Sequence, residues 1–251
     1  MKFRGFTAGA LFWNGLFVSL ALAACGSPDA PTTHSLSHFH RALADPERHF
    51  TVVTLGDSNT QINRSTRGHL NWAGLLAAGL AEGGADRRFT LINVGQAGDT
   101  ATGGLQRLER DVIAYRPDLV IISYGMNDHL EYGPEQTGAA LREIIRRLRA
   151  QPGECSILLR TSQPVCDLRR REGGVWVSDA AFDATMEAIR RVAREENVAL
   201  VDHFALWTAP GDPHPPAWYC YDGRHPNENG HRRFYAELAP VLRLPAKFRW
   251  E

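Results

Sequence analysis

Five apolar runs rich in β-branched residues alternate with five amphipathic segments along this chain, and that alternation limits the fold more than any other feature. The runs predict strands near 50–55, 89–94, 118–124, 156–161 and 198–201. Helical periodicity between and after them predicts helices near 70–82, 103–115, 135–150, 179–196 and 228–243. Strands separated by helices must be joined by crossovers, so the expected fold is α/β, a mostly parallel sheet of five strands with helices on both faces. A chain of 251 residues suits one such core.

In open sheets of this kind, ligands bind beyond the C-terminal ends of the strands. The loops that follow the apolar runs are therefore the places to look for chemistry. The run Phe50 to Leu55 is followed by Gly56-Asp57-Ser58-Asn59, which would present a serine hydroxyl at the sheet edge. Such turns are common for conformational reasons alone, so the serine gains meaning only from its company. Near the C-terminus, Asp222-Gly223-Arg224-His225-Pro226-Asn227 places a carboxylate and an imidazole three residues apart. Nucleophilic serine chemistry requires that combination: a base takes the hydroxyl proton, and a carboxylate fixes the imidazole tautomer and stabilises the imidazolium. Two further turns follow apolar runs, Asn93-Val94-Gly95-Gln96-Ala97-Gly98-Asp99-Thr100 and Gly125-Met126-Asn127-Asp128. Each would offer hydrogen-bond donors at the same edge, where an oxyanion must be stabilised.

Four blocks in this order resemble the SGNH, or GDSL, hydrolase family: Gly56-Asp57-Ser58, the turn ending in Gly98, Gly125-Met126-Asn127-Asp128, and Asp222-Gly223-Arg224-His225. The resemblance spans roughly residues 48 to 245. It implies a flavodoxin-like three-layer α/β/α sandwich with a mostly parallel five-stranded sheet, with Ser58 as nucleophile, His225 as base and Asp222 as its partner. It also implies an oxyanion hole made by the Ser58 and Gly98 backbone N–H groups and the Asn127 side chain, and no cofactor or metal. The turn lacks the Gly-x-Ser-x-Gly pattern of the α/β-hydrolase nucleophile elbow. Asn59 stands where many members of the family carry leucine, which bears on the acyl pocket. The family's substrate classes include acetylated sugars, simple esters, lysophospholipids and thioesters. An envelope O-acyltransferase is the alternative, and a non-catalytic glycan-binding lipoprotein is a third reading.

Lys2 and Arg4, an apolar stretch to Leu22 and the small residues before Cys25 read as a secretory signal over residues 1–24. The order Leu22-Ala23-Ala24-Cys25 resembles the bacterial lipoprotein signal, in which the cysteine is lipidated; a signal cut near Ala24 without lipidation is the alternative. The expected location is the cell envelope, anchored to a membrane through Cys25. The whole chain carries 28 basic and 28 acidic residues, so neither nucleic acid nor an anionic lipid surface is indicated as an electrostatic partner.

Residues 25–47 are Ser, Thr, Pro and Asp rich at first and read as a flexible tether before a hydrolase domain over 48–251. Within the tether, His34, His38 and His40 form an incomplete ligand set, and no metal is expected. The helix near 135–150 turns Leu141, Ile144, Ile145 and Leu148 to one side and Arg142, Arg146, Arg147 and Arg149 largely off it, as a solvated face would. Arg169, Arg170 and Arg171 read as a solvated turn, whereas Arg224 and His129 are placed at the mouth of the site. Trp218, Tyr219 and Tyr221 either stack on substrate or pack their own loop, and Trp72 and Trp176 are expected to pack. Asp57 and Asp128 are expected to accept hydrogen bonds from nearby backbone and hold their turns in shape.

Export leaves Cys155, Cys166 and Cys220 in a compartment that permits disulfides. Cys155 and Cys166 flank one strand and should lie too far apart to pair, whereas Cys166 and Cys220 fall in loops at the same sheet edge. A Cys166–Cys220 disulfide is the expectation.

Overall fold

The computed structural model describes residues 36–61, 66–85, 88–170, 173–177 and 179–247. The signal segment, Cys25, His34 and Arg171 lie outside the described residues. Five strands, β1 (Phe50–Gly56), β2 (Phe89–Asn93), β3 (Leu119–Ser123), β4 (Ser156–Arg160) and β7 (Ala199–Val201), form one sheet in the order β2-β1-β3-β4-β7. Every neighbouring pair in it is parallel. With the small hairpin β5 (Val165–Asp167) and β6 (Val175–Val177) set aside, this is the flavodoxin-like order. The strand order reverses at β1, so the crevice between the C-terminal ends of β1 and β3 is the topological switch point.

Each central strand feeds both cores because side chains alternate with a period of two. Val52, Ile121 and Leu158 face one layer with Trp72, Leu76, Phe234 and Leu238. Val53, Ile122 and Leu159 face the other, with Leu108, Ile144, Phe182, Met186 and Ile189. The first layer holds α2 (Trp72–Leu80) and α8 (Glu228–Leu238), and the second holds α3 (Ala101–Asp111), α5 (Gly133–Ala150) and α6 (Ala180–Glu195). The stripe Leu141, Ile144, Ile145 and Leu148 is buried as the periodicity predicts. The arginines off that stripe are solvated ion-pair partners: Arg142 with Glu195, Arg146 and Arg147 with Glu143, and Arg149 with Glu196. Exposed pairs of this kind contribute little each.

The start of the domain differs from the sequence expectation. Residues read as tether contain a helix, α1 (Ser37–Ala44), and Leu36, Phe39 and Ala42 are buried in the first core layer. Phe39 stands edge-on to Phe50 of β1, with ring centroids 5.7 Å apart. His38 bonds Asp118 at 2.9 Å and Glu154 at 3.0 Å, and Arg48 pairs with the same Asp118. His40 bonds the Val241 carbonyl at 3.1 Å. Both histidines are thus staples of α1 to the body of the fold. Three apolar positions three residues apart in a short polar stretch are too few to register as helical periodicity, and their partners lie far along the chain.

The β5–β6 hairpin and the short helices α4 (Asp128–Glu131) and α7 (His203–Thr208) were also not foreseen; each is too short to show a period. The cysteine expectation is corrected as well. Cys155, Cys166 and Cys220 are all free thiols. Cys166 and Cys220 do meet at the sheet edge, both buried in the first core layer, with their thiols free. Proximity alone does not close a disulfide, which needs a two-electron oxidant as well.

Candidate active site

β1 ends at a glycine because two groups crowd it: a Cβ on Gly56 would sit 2.3 Å from Thr60 Oγ1 and 2.6 Å from the Ser123 carbonyl of β3. The chain then turns through Asp57, whose Oδ1 accepts the Asn59 N–H at 2.8 Å and whose carbonyl accepts the N–H groups of Thr60 and Gln61 at 3.0 and 3.1 Å. These bonds hold Ser58 at the tip, half-buried, while Asp57 and Asn59 are turned inward. Burial pushes the Asp57 carboxyl up to about 7.

The second participant arrives from the loop before α8. Gly223 has φ +91°, and a Cβ there would lie 2.3 Å from the Cys166 carbonyl, so the turn requires glycine. The Cys166 N–H bonds the Gly223 carbonyl at 2.8 Å and ties the turn to β5. Asp222 Oδ1 accepts the N–H groups of Arg224 and His225 at 3.0 and 2.8 Å. The other oxygen, Oδ2, lies 2.8 Å from His225 Nδ1. Partial burial alone would push the Asp222 carboxyl up. The two N–H groups and the His225 imidazole outweigh it and hold the acid below the usual carboxylate range. His225 Nε2 is 3.0 Å from Ser58 Oγ. Sequence-predicted Ser58, His225 and Asp222 are therefore one continuous hydrogen-bonded chain at the switch point.

The remaining two turns meet beside it. Asn127 Nδ2 donates to the Asp99 carbonyl at 2.8 Å, which sets Asn127 against the turn that contains Gly98. Asp128 accepts the Ala101 N–H through Oδ1 and the Gly125 N–H through Oδ2, both at 2.8 Å, so it fixes both turns as the sequence suggests. Gly98 itself is exposed, and Asn127 is half-buried with one amide hydrogen free of the Asp99 bond.

Beneath these turns lies a cluster the sequence reading missed. Arg107 on α3 donates to Asp99 Oδ2 at 2.9 and 2.6 Å, to the Val94 carbonyl at 2.7 Å and to the Tyr124 hydroxyl oxygen at 3.1 Å. The Tyr124 hydroxyl donates to the same Asp99 oxygen at 2.8 Å. One guanidinium thereby ties the Gly98 turn to the end of β3. Replacing Arg107 with methionine strands the Asp99 carboxylate in a dry site and should cost about 3–5 kcal/mol. A urea unfolding midpoint gives the check, and a loss below about 1 kcal/mol would contradict the role assigned to the cluster.

Of the aromatic residues ahead of Asp222, Tyr219 is buried, packed on Trp207 with centroids 5.2 Å apart and bonded to Asp212. Trp218 and Tyr221 are exposed, and Trp218 stacks on His214 at 4.8 Å with 17° between the planes. Trp72 is fully buried and donates through Nε1 to the Asn59 carbonyl, and Trp176 packs on Trp207. His129 sits near the Gly125 carbonyl and edge-on to Phe182. Arg224 is exposed beside His225. Arg169 and Arg170 lie by Asp167, in the solvated turn expected of them.

The sequence profile of the GDSL-like Lipase/Acylhydrolase family matches residues 54–233. Esterase TesA of Pseudomonas aeruginosa is 33% identical over 110 residues, covering 43% of this chain and 53% of the relative. The chain thus spans about half the length of that relative. An arylesterase of Vibrio mimicus is 29% identical over 157 residues, covering 62% of this chain and 70% of the relative. Among solved structures, the acetylxylan esterase Axe2 of Geobacillus stearothermophilus superposes with a TM-score of 0.66 at 20% identity, over 80% of this chain and 98% of its own. LAE5, an alpha/beta hydrolase enzyme from the metagenome of Lake Arreo, superposes with a TM-score of 0.63 at 24% identity, over 78% of this chain and 95% of its own. At those identities the superpositions speak for the fold.

Proposed function

Because the chain belongs to the GDSL-like lipase/acylhydrolase family, we propose that it is a serine esterase that cleaves acyl esters through an acyl-Ser58 intermediate. The observation that carries this reading is the 3.0 Å approach of Ser58 Oγ to His225 Nε2, with His225 Nδ1 held by Asp222 at 2.8 Å. In this reading His225 takes the hydroxyl proton as Ser58 attacks the ester carbonyl and returns it to the leaving alcohol, while Asp222 stabilises the imidazolium. Water then enters and is deprotonated by the same imidazole as it attacks the acyl carbonyl, and His225 passes that proton to Ser58 Oγ as the acid leaves. The Ser58 and Gly98 N–H groups and the free amide hydrogen of Asn127 are assigned to the tetrahedral oxyanion. Asn127→Ala removes one of those donors and should lower kcat about a hundredfold to a thousandfold with the fold intact. Steady-state turnover measures it, and an unchanged kcat would remove Asn127 from the oxyanion hole.

The substrates proposed are esters with short acyl groups, acetyl esters on carbohydrate among them. Two features support this. Asn59, which follows Ser58, is a buried amide bonded to buried Gln163, so the inner side of the nucleophile turn is polar instead of an apolar channel for a long alkyl chain. Trp218 and Tyr221 stand exposed on the loop that carries Asp222, where flat aromatic surface is available to a sugar ring. A panel of p-nitrophenyl esters graded by chain length, run beside acetylated xylan and an acceptor glycan, tests the reading. Acetyl or butyryl esters should turn over fastest. Faster cleavage of palmitoyl esters below their micellar concentration would shift the assignment to a lysophospholipase or thioesterase. Acyl transfer to the glycan in preference to water would make the enzyme an O-acyltransferase.

We further propose that the protein is exported and held at a membrane by acyl chains on Cys25, a reading supported by the sequence of residues 1–25 alone. Fatty-acid labelling of the wild type, lost in Cys25→Ser with esterase activity retained, is the expected result; an unlabelled wild type would refute it.

A further inference from the structure

Gln163 lies just past β4, in neither strand nor helix, and is completely buried at 0% exposure. Its side chain touches two parts of the site at once. Nε2 donates to the Arg224 backbone carbonyl, and Oε1 accepts from Asn59 Nδ2 at 3.3 Å. A carbonyl can only accept, so Arg224 fixes which way the Gln163 amide faces, and Asn59 must then present its nitrogen. Asn59 has little freedom of its own. Its N–H is bonded to Asp57 at 2.8 Å, its carbonyl accepts from Trp72 Nε1 at 2.9 Å, and it is 2% exposed.

Asn59 directly follows Ser58, and Arg224 directly precedes His225. One buried amide therefore spans the turn that carries the hydroxyl and the turn that carries the imidazole, by a route separate from the Ser58–His225 hydrogen bond. We propose that Gln163 is a positioning residue that sets the register of the Ser58 turn against the His225 turn. The proposal rests on the reading of Ser58 and His225 as nucleophile and base.

The need for such a link follows from how the two turns are anchored. Ser58 stands on the turn just past β1, an inner strand of the sheet. The His225 and Asp222 side chains retain 33% and 44% exposure on a surface loop. Within that loop, the Tyr221 N–H bonds the His225 carbonyl at 2.7 Å, and Asn227 caps α8. Those bonds shape the loop but do not reach the serine turn. The Cys166 bond to Gly223 ties the loop to β5 instead of to β1. A proton transfer across 3.0 Å depends steeply on distance and angle, and a displacement of an ångström costs on the order of a hundredfold.

Gln163→Met keeps the volume and removes both hydrogen bonds, and Asn59→Leu removes the donor from the other side. In each folded variant, kcat should fall about tenfold to a hundredfold with KM little changed. The double variant should be no slower than the worse single, since both cut the same link. Thermal unfolding measured alongside separates positioning from packing. Ser58→Ala is the control. A folded Gln163→Met enzyme, or a folded Asn59→Leu enzyme where the first does not fold, with wild-type kcat beside an inactive Ser58→Ala enzyme overturns the positioning role alone. So does a fully additive double variant. An active Ser58→Ala enzyme overturns the reading of the site, and the proposal falls with it.

Discussion

Ser58→Ala and His225→Ala should each fold and unfold like the wild type while esterase turnover drops by roughly four to six orders of magnitude. Ser58 is half-buried at the tip of a turn whose bonds are made by Asp57, Asn59 and Thr60, so removing one hydroxyl leaves the turn intact. His225 likewise holds its loop through its own backbone, which bonds Asp222 and Tyr221 whatever the side chain is. The two losses should not add in the double variant, because a nucleophile and its base act as one unit. Circular dichroism and a unfolding midpoint beside the rate assay check both halves of the statement. Substantial activity in a folded Ser58→Ala enzyme would end the account.

The second large effect is expected at Asp222. Its Oδ2 faces His225 Nδ1 at 2.8 Å, which places the ring proton on Nδ1 and leaves Nε2 free to accept from Ser58. In Asp222→Asn the side-chain oxygen can still receive the Arg224 and His225 N–H groups, so the turn should survive. The amide nitrogen then faces Nδ1 and favours the opposite tautomer, with the proton on the nitrogen that must act as base. A fall in kcat of about a thousandfold to ten-thousandfold follows, with KM little changed. Because Asp222 is held below the ordinary carboxylate range, the wild-type carboxylate stays ionised through the weakly acidic range, and loss of activity there should not trace to it. A variant within tenfold of wild type would mean that the imidazole is oriented without the carboxylate.

Much of this was legible in the sequence because it is local. The strands show themselves through apolar runs such as Phe50 to Leu55, and the turn chemistry of Asp57 and Asp128 acts within three residues or on an adjacent loop. The placement of Ser58, Asn127 and His225 at one edge follows from parallel topology alone. What was not legible depends on partners distant in sequence. Gln163 joins Asn59 and Arg224, 104 and 61 residues away, and nothing in its own neighbourhood marks it. Arg107 reads as an ordinary helix cation until Asp99 and Tyr124 close around it. The helix Ser37–Ala44 escaped because its apolar positions are few and its histidines looked like tether. The cysteine reading was right about proximity and wrong about the bond, since spacing along the chain locates two thiols but does not fix their oxidation.

On the reading proposed, Ser58 is an activated nucleophile. Its activation is tested most directly by reaction of the folded full-length protein with a fluorophosphonate probe, followed by peptide mapping of the adduct. The account predicts stoichiometric labelling on Ser58, blocked by competing short-chain ester and absent from both Ser58→Ala and His225→Ala. No adduct on the wild type, or an adduct that persists in Ser58→Ala, would contradict it.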